Sequence, residues 1–199
     1  VVLAHEALQV LAQVLGVLAI HVEADGRADT RQGVALGGAE LAAEIRDFSA
    51  DHLLQASDKG IHSIAKAGVV ATLLPGTAFC LKEPYAKGRY MIDNNCAVAL
   101  ASDLNPGSCF SESIPLTFAL ATLYMNIDTE EAITALTING AAALGREDTI
   151  GSLDIGKYGD VIILKYPSYQ FIPYHVGINT VEKVIKRGEL VFDGLLPTF

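Results

Sequence analysis

Residues 97–108 read AVALASDLNPGS, and this stretch decides the fold. A short apolar segment leads to Asp103, and a loop with Asn105, Pro106 and Gly107 then turns the chain away. Parallel sheets and barrels carry their active sites at the carboxyl ends of their strands, where this carboxylate lies. The alternative is that Asp103 only hydrogen-bonds its own backbone, as aspartate does in turns. The rest of the chain must decide between the two interpretations.

Strand and helix patterns alternate around this stretch. Residue patterns predict strands at residues 17–23, 50–54, 69–74 and 96–101. They predict helices at residues 37–48, 57–67, 85–94, 112–125 and 129–145. Strands that are apolar on both faces indicate a parallel sheet covered by helices. We therefore expect an α/β fold with about four βα units, which is half of a (β/α)8 TIM-like barrel.

The pattern changes after Gly145. Residues 161–165 form a predicted strand, and residues 181–185 and 189–192 form a predicted hairpin around Gly188. This tail is typical of a small separate β-sheet. We therefore predict a partial barrel at residues 1–147 and part of a β-sandwich at residues 148–199.

Composition narrows the class of protein. The chain has 199 residues, 51% of them hydrophobic, and a net charge of −9 from 23 acidic and 14 basic side chains. We expect no nucleic-acid partner, because nothing here attracts phosphate backbones, and no membrane, because no basic amphipathic stretch is present. Three cysteines without a C-x-x-C pair disfavour a cysteine zinc site and fit a reducing, cytoplasmic location. The apolar residues 1–20 lack the basic start of a signal peptide.

Six segments together form a recognisable series of motifs. The two most specific are residues 73–79 (LLPGTAF) and 103–108 (DLNPGS), and the other four are residues 37–44, 49–54, 137–142 and 151–160. In order and spacing they resemble the imidazolonepropionase family of the metal-dependent amidohydrolase superfamily. The resemblance extends from Gly37 to the end of the chain.

The resemblance implies a metal-dependent barrel with a small β-sandwich. Its family reaction is the opening of the ring of 4-imidazolone-5-propanoate by water, which gives N-formimidoyl-L-glutamate in histidine degradation. It implies one Zn or Fe ion at the carboxyl mouth of the barrel, a small-molecule substrate, and a homodimer as a candidate assembly.

The resemblance also assigns roles to individual residues. Asp103 matches the metal-binding aspartate that takes a proton from water, and His52 matches a catalytic histidine that hydrogen-bonds the water or the substrate carbonyl. Asn105, Gly107 and Ser108 match positions that bind the substrate. The alternatives are a satisfied core histidine at position 52 and an ordinary turn at residues 105–108.

The first 34 residues depart from the family pattern. His21 is the candidate second metal ligand and Glu23 a candidate substrate-binding residue, but His21 lies 16 positions before Gly37, further than the family spacing. The chain contains no His-x-His pair, because its histidines are His5, His21, His52, His62 and His175. It therefore holds at most half of the implied metal site, and with Val1 as its first residue we expect a piece of a longer polypeptide.

Two other interpretations stay open. One is a different amidohydrolase, such as a nucleobase deaminase. The other is a non-catalytic, incomplete barrel with open sheet edges and an exposed apolar face. Metal analysis separates the enzyme, with about one Zn or Fe per chain, from the incomplete barrel, which binds none.

Overall fold

A computed structural model describes residues 37–194. Its first sheet has three parallel strands in the order β1-β2-β3: β1 (Ser49–Asp51), β2 (Val70–Leu73) and β3 (Val98–Leu100). Ala71 of β2 lies opposite Ala50 of β1 and Val98 of β3. Every residue of β2 and β3 is buried, so the prediction of strands that are apolar on both faces is confirmed.

Helices connect and cover these strands. The predicted helix over residues 57–67 is present: the Ser57 hydroxyl accepts a hydrogen bond from the Gly60 N–H at 2.9 Å, and Gly68 adopts a left-handed φ of 75° after the last turn. The helices in chain order are α1 (Gly38–Ile45), α2 (Asp58–Ala67), α3 (Pro75–Leu81), α4 (Gly88–Asp93), α5 (Ile114–Tyr124), α6 (Thr129–Leu136), α7 (Ile138–Ala143) and α8 (Phe171–Tyr174).

The structure differs from the sequence prediction at two helices. No helix is predicted between residues 74 and 85, but α3 starts at Pro75, because proline suits the first helical position and needs no N–H partner. The single helix expected over residues 129–145 is two helices. They separate at Thr137, whose φ of −119° and ψ of −93° are not helical. The strand expected at residues 17–23 lies outside the described residues.

The second sheet is antiparallel, in the order β4-β5-β6, with β4 (Val161–Leu164), β5 (Val181–Lys186) and β6 (Glu189–Asp193). The predicted hairpin turns at Arg187 and Gly188, which have φ values of 52° and 83°. Asp160 fixes this turn, because its carboxylate accepts the Lys186 ammonium and the Arg187 N–H, each at 2.8 Å. The end of the 151–160 motif thus anchors the hairpin.

One hydrophobic cluster links the two sheets. Leu73 and Leu100 from the parallel sheet and Phe118 from α5 share this cluster with Val181 and Val184 of β5. The boundary between residues 147 and 148 stays a prediction. Within residues 37–194, no helix has the length and the apolar character that crossing a membrane requires.

Candidate functional site

His52 and Asp103 meet at the carboxyl edge of the parallel sheet. His52 directly follows β1, and Asp103 lies three positions after β3, so strands on either side of β2 deliver the two side chains. The His52 Nε2 atom is 4.0 Å from the Asp103 Oδ2 atom. This separation is too long for a hydrogen bond. The side chains are 18% and 8% exposed, so both are largely withdrawn from solvent.

Both residues have a left-handed backbone. Their φ values are 65° for His52 and 53° for Asp103, and Leu53 continues with 57°. The His52 N–H still donates to the Thr72 carbonyl at 3.0 Å, so the pairing of β1 with β2 persists up to the point where the chain turns. Left-handed φ is uncommon outside glycine and costs of order 1 kcal/mol or more, although aspartate and histidine adopt it more readily than most residues.

Thr77 holds the carboxylate of Asp103. Its hydroxyl donates to Asp103 Oδ2 at 2.5 Å, and the residue is 4% exposed. Thr77 lies in the first turn of α3, which begins two residues after β2. The third side chain of the site therefore follows the central strand of the sheet, between the strands that precede His52 and Asp103. Thr77 is not among the site residues predicted from the sequence. Its position inside the 73–79 motif was the signal that could have found it.

The loop after Asp103 is organised by Asn105. The side-chain oxygen Oδ1 of Asn105 accepts hydrogen bonds from the backbone N–H groups of Gly107 and Ser108 at 2.9 and 2.8 Å. Its amide nitrogen donates to the Asp103 carbonyl at 2.8 Å and to the Ser108 hydroxyl at 2.9 Å. Asn105 therefore links the predicted substrate-binding residues to one another and to Asp103. The Gly107 N–H here faces Asn105, and the role of Gly107 in substrate binding stays a prediction.

Asp103 supplies one carboxylate donor of the kind that a Zn or Fe site uses, and His52 is the imidazole beside it. Within the described part of the chain, no cluster of three or more histidine, cysteine, aspartate or glutamate side chains is placed to hold a metal ion. His21, the other candidate metal ligand, and Glu23, a candidate substrate-binding residue, lie outside the described residues. Asp103 therefore fits as one ligand of an ion whose other ligands residues 37–194 do not provide. His62, by contrast, is exposed on α2, as expected.

The sequence model of the Amidohydrolase family matches residues 60–191. The chain is 68% identical over 157 residues to an imidazolonepropionase of Parabacteroides distasonis and 65% identical over 159 residues to one of Clostridium tetani. These alignments cover 79% and 80% of the chain and 38% of each relative. The chain thus spans less than two fifths of the length of these curated relatives.

Solved structures share the fold at low sequence identity. An adenosine deaminase of Xanthomonas campestris with bound zinc matches with a TM-score of 0.69 and 20% identity, over 78% of this chain and 40% of that chain. The guanine deaminase of E. coli matches with a TM-score of 0.60 and 18% identity, over 73% and 39%. The described residues therefore have the architecture of part of an amidohydrolase barrel with an adjoining antiparallel sheet.

Proposed function

Because the chain belongs to the amidohydrolase family, we propose that it supplies the Asp103 and His52 side of a site that hydrolyses 4-imidazolone-5-propanoate to N-formimidoyl-L-glutamate. The observation that carries this proposal is the meeting of His52, Thr77 and Asp103 at one sheet edge. It occurs in a chain that is 68% identical to an imidazolonepropionase over the aligned residues. The deaminases among the solved structures are below 25% identity and support the fold alone.

Asp103 is the proton acceptor in this proposal. As water attacks the ring carbonyl carbon, a carboxylate oxygen of Asp103 takes a proton from that water. When the carbon–nitrogen bond breaks, the carboxyl group returns the proton to the ring nitrogen that leaves. A Zn or Fe ion held partly by Asp103 would lower the pKa of its bound water towards neutrality. Low exposure of the carboxylate strengthens each of its electrostatic contacts.

His52 is placed to share the attacking water with Asp103. An oxygen atom about 2.8 Å from both His52 Nε2 and Asp103 Oδ2 is compatible with their separation of 4.0 Å. From that position the imidazole can hydrogen-bond the water or the substrate oxygen as it gains negative charge. The Thr77 hydroxyl and the Asn105 amide, which bond the carboxylate and the backbone carbonyl of Asp103, support this relationship.

Thr77 is a positioning residue. Its hydroxyl donates to the same Oδ2 atom that faces His52, so one orientation of the carboxylate is favoured before any substrate binds. The loop of Asn105, Gly107 and Ser108 is proposed to bind the substrate carboxylate, by exchanging some of its internal hydrogen bonds for contacts with the substrate.

The finer expectations belong to the same proposal. They are Zn or Fe as the metal, with His21 as a further ligand and Glu23 as a substrate contact, a homodimeric assembly and a cytoplasmic location. The division at residues 147 and 148 is also part of it. Zinc in the adenosine deaminase neighbour supports a divalent metal in this fold.

A chimera tests the part of the proposal that concerns residues 37–199. It joins residues 37–199 to the N-terminal part of the Parabacteroides distasonis relative, and ring opening is followed by loss of imidazolone absorbance together with metal content. We expect turnover and about one Zn or Fe per chain. A chimera that binds this metal but does not open the imidazolone ring would overturn the proposal.

A matched pair of histidine variants sharpens the test. His52→Asn removes the imidazole but tolerates the left-handed backbone, and His62→Asn makes the same change on the exposed face of α2. We expect turnover to fall about 100-fold or more in the first variant and to stay unchanged in the second. Equal effects of the two substitutions would show that His52 is a structural histidine.

A further inference from the structure

Two of the three cysteines lie on the elements that build the site. Cys80 is in α3, three positions after Thr77, and it is exposed. Cys109 is buried and closes the loop after Asp103, where it forms a two-residue antiparallel bridge with Asn105. The third cysteine, Cys96, is buried elsewhere, with its thiol directed to the Ile61 carbonyl at 3.4 Å.

Cys109 packs against the face of α3 that carries Gly76 and Cys80. Cys109 Sγ lies 3.0 Å from the point that a Cβ atom on Gly76 would occupy. Gly76 and Cys80 are four positions apart in α3, so they lie on one face of the helix, and the Cys80 side chain leans back towards Gly76. This arrangement brings the Cys80 thiol towards Cys109 Sγ, near enough to raise the pKa of the Cys109 thiol. Glycine at position 76 provides the space that the Cys109 sulfur fills.

We propose that Cys80 and Cys109 form a redox modification site, which a low-molecular-weight disulfide such as glutathione disulfide converts to an intramolecular disulfide. The Cys80 thiolate attacks the oxidant, which gives a mixed disulfide on Cys80 and releases one glutathione thiolate. The Cys109 thiolate then attacks Cys80 Sγ and releases the second. The oxidant gains two electrons, and the two protein protons end on the two glutathione thiols.

Exposure and acidity determine the order of these steps. Burial, and after it the nearby Cys80 thiol, raises the pKa of Cys109 to about 11, so little of its thiolate exists at neutral pH. Because the thiolate is the attacking species, the exposed Cys80 reacts first and Cys109 resolves the mixed disulfide. Cys96, also raised in pKa by burial, takes no part.

A disulfide between Cys80 and Cys109 would join the two elements that position Asp103. One is α3, which carries Thr77, and the other is the loop held by Asn105. The proposal goes beyond the hydrolytic function and does not depend on it, because the chemistry of the thiols can be followed without turnover.

The test uses the 199-residue chain, reduced and then incubated with glutathione disulfide. After alkylation of free thiols, peptide mass mapping should show a Cys80–Cys109 cross-link that is lighter by two hydrogen atoms, with Cys96 alkylated only after unfolding. Cys109→Ser should stop the reaction at a stable glutathione adduct on Cys80. Cys96→Ser is the matched control and should leave the cross-link unchanged.

Two results would overturn the proposal. One is a chain in which Cys80 keeps glutathione while Cys109 stays a thiol at every ratio of oxidised to reduced glutathione. The other is a result in concentrated urea in which Cys80 still cross-links to Cys109 rather than to Cys96 with the same preference. The fold would then not be the cause of that preference. Loss of that preference in urea supports the proposal that the fold brings Cys80 and Cys109 together.

Discussion

Removing one hydroxyl group tests how Asp103 is held. Thr77→Val replaces the hydroxyl by a methyl group of similar size, so packing around the first turn of α3 is kept. The bond that is lost joins a hydroxyl and a carboxylate at 2.5 Å, between residues with little exposure. Hydrogen bonds to charged groups contribute about 1.5–3 kcal/mol. If the bond is needed in the transition state, kcat/KM should fall about 10- to 150-fold.

The assay is steady-state ring opening by the chimera, with metal content measured in parallel. Thr77→Ser keeps the hydroxyl and should restore most of the activity. Thr122→Val is the matched control, because it removes a threonine hydroxyl that donates to the Phe118 carbonyl in α5. A positioning role predicts a lower kcat, or weaker metal binding, with a nearly unchanged unfolding temperature.

The reasoning is refuted if Thr77→Val keeps kcat/KM within about threefold of the unchanged chimera, which is less than 1 kcal/mol. It is also refuted if Thr77→Ser loses as much as Thr77→Val, since the hydroxyl would then not be the cause. A loss shared equally by Thr122→Val would indicate a general effect on folding.

Four other outcomes are expected. The 199-residue chain alone should not open the imidazolone ring, because it has no His-x-His pair, and turnover within about tenfold of the chimera would contradict this. In the chimera, Asp103→Asn should slow turnover by about 10²–10⁴-fold, and a rate above about a tenth of the original would make Asp103 a turn residue. Gly107→Val should raise KM about ten- to a hundredfold, since even its Cβ would stand 3.3 Å from Asn105 Oδ1, and an unchanged KM would remove the loop from substrate binding. Glu131→Gln should lower the free energy of unfolding by about 1 kcal/mol at neutral pH. The Arg89 guanidinium, bonded at 2.7 and 3.0 Å, lowers the pKa of Glu131 in the folded chain. That stabilisation is present above the unfolded pKa of about 4.3 and is lost as pH falls through the folded pKa, so urea unfolding at decreasing pH should show the difference vanish.

Elements with strong local signals could be predicted from the sequence. The β2 and β3 segments are continuous apolar runs, and Ser57 and Gly68 mark the two ends of α2. The helix α3 was missed because a proline and a glycine after a strand indicate a turn, and seven residues leave no room for an amphipathic pattern. The break at Thr137 was missed because the apolar spacing continues across it, although its backbone is not helical.

The site was predictable only in part. Asp103 and His52 could be found because each lies in a motif at the end of an apolar strand. Their separation depends on how β1 and β3 pair with β2, which no local pattern determines. Thr77 donates to a residue 26 positions away, and threonine at the start of a helix is ordinary. The left-handed backbone of His52 could not be predicted, because glycine is the residue type that indicates such a φ from sequence alone, and position 52 is not glycine.

The same contacts that hold Asp103 decide which variants can be interpreted. Two hydrogen bonds offset the energetic cost of the left-handed backbone of Asp103. The Thr77 hydroxyl donates to its carboxylate, and the Asn105 side-chain amide donates to its backbone carbonyl. A substitution of Asn105 would therefore remove the carbonyl contact of Asp103 together with any contact to substrate. The Gly107 N–H donates to Asn105 Oδ1, and within residues 37–194 no hydrogen bond joins Gly107 to Asp103. A rise in KM without loss of metal is thus expected at position 107 and not at position 105, and this contrast separates substrate binding from support of the carboxylate.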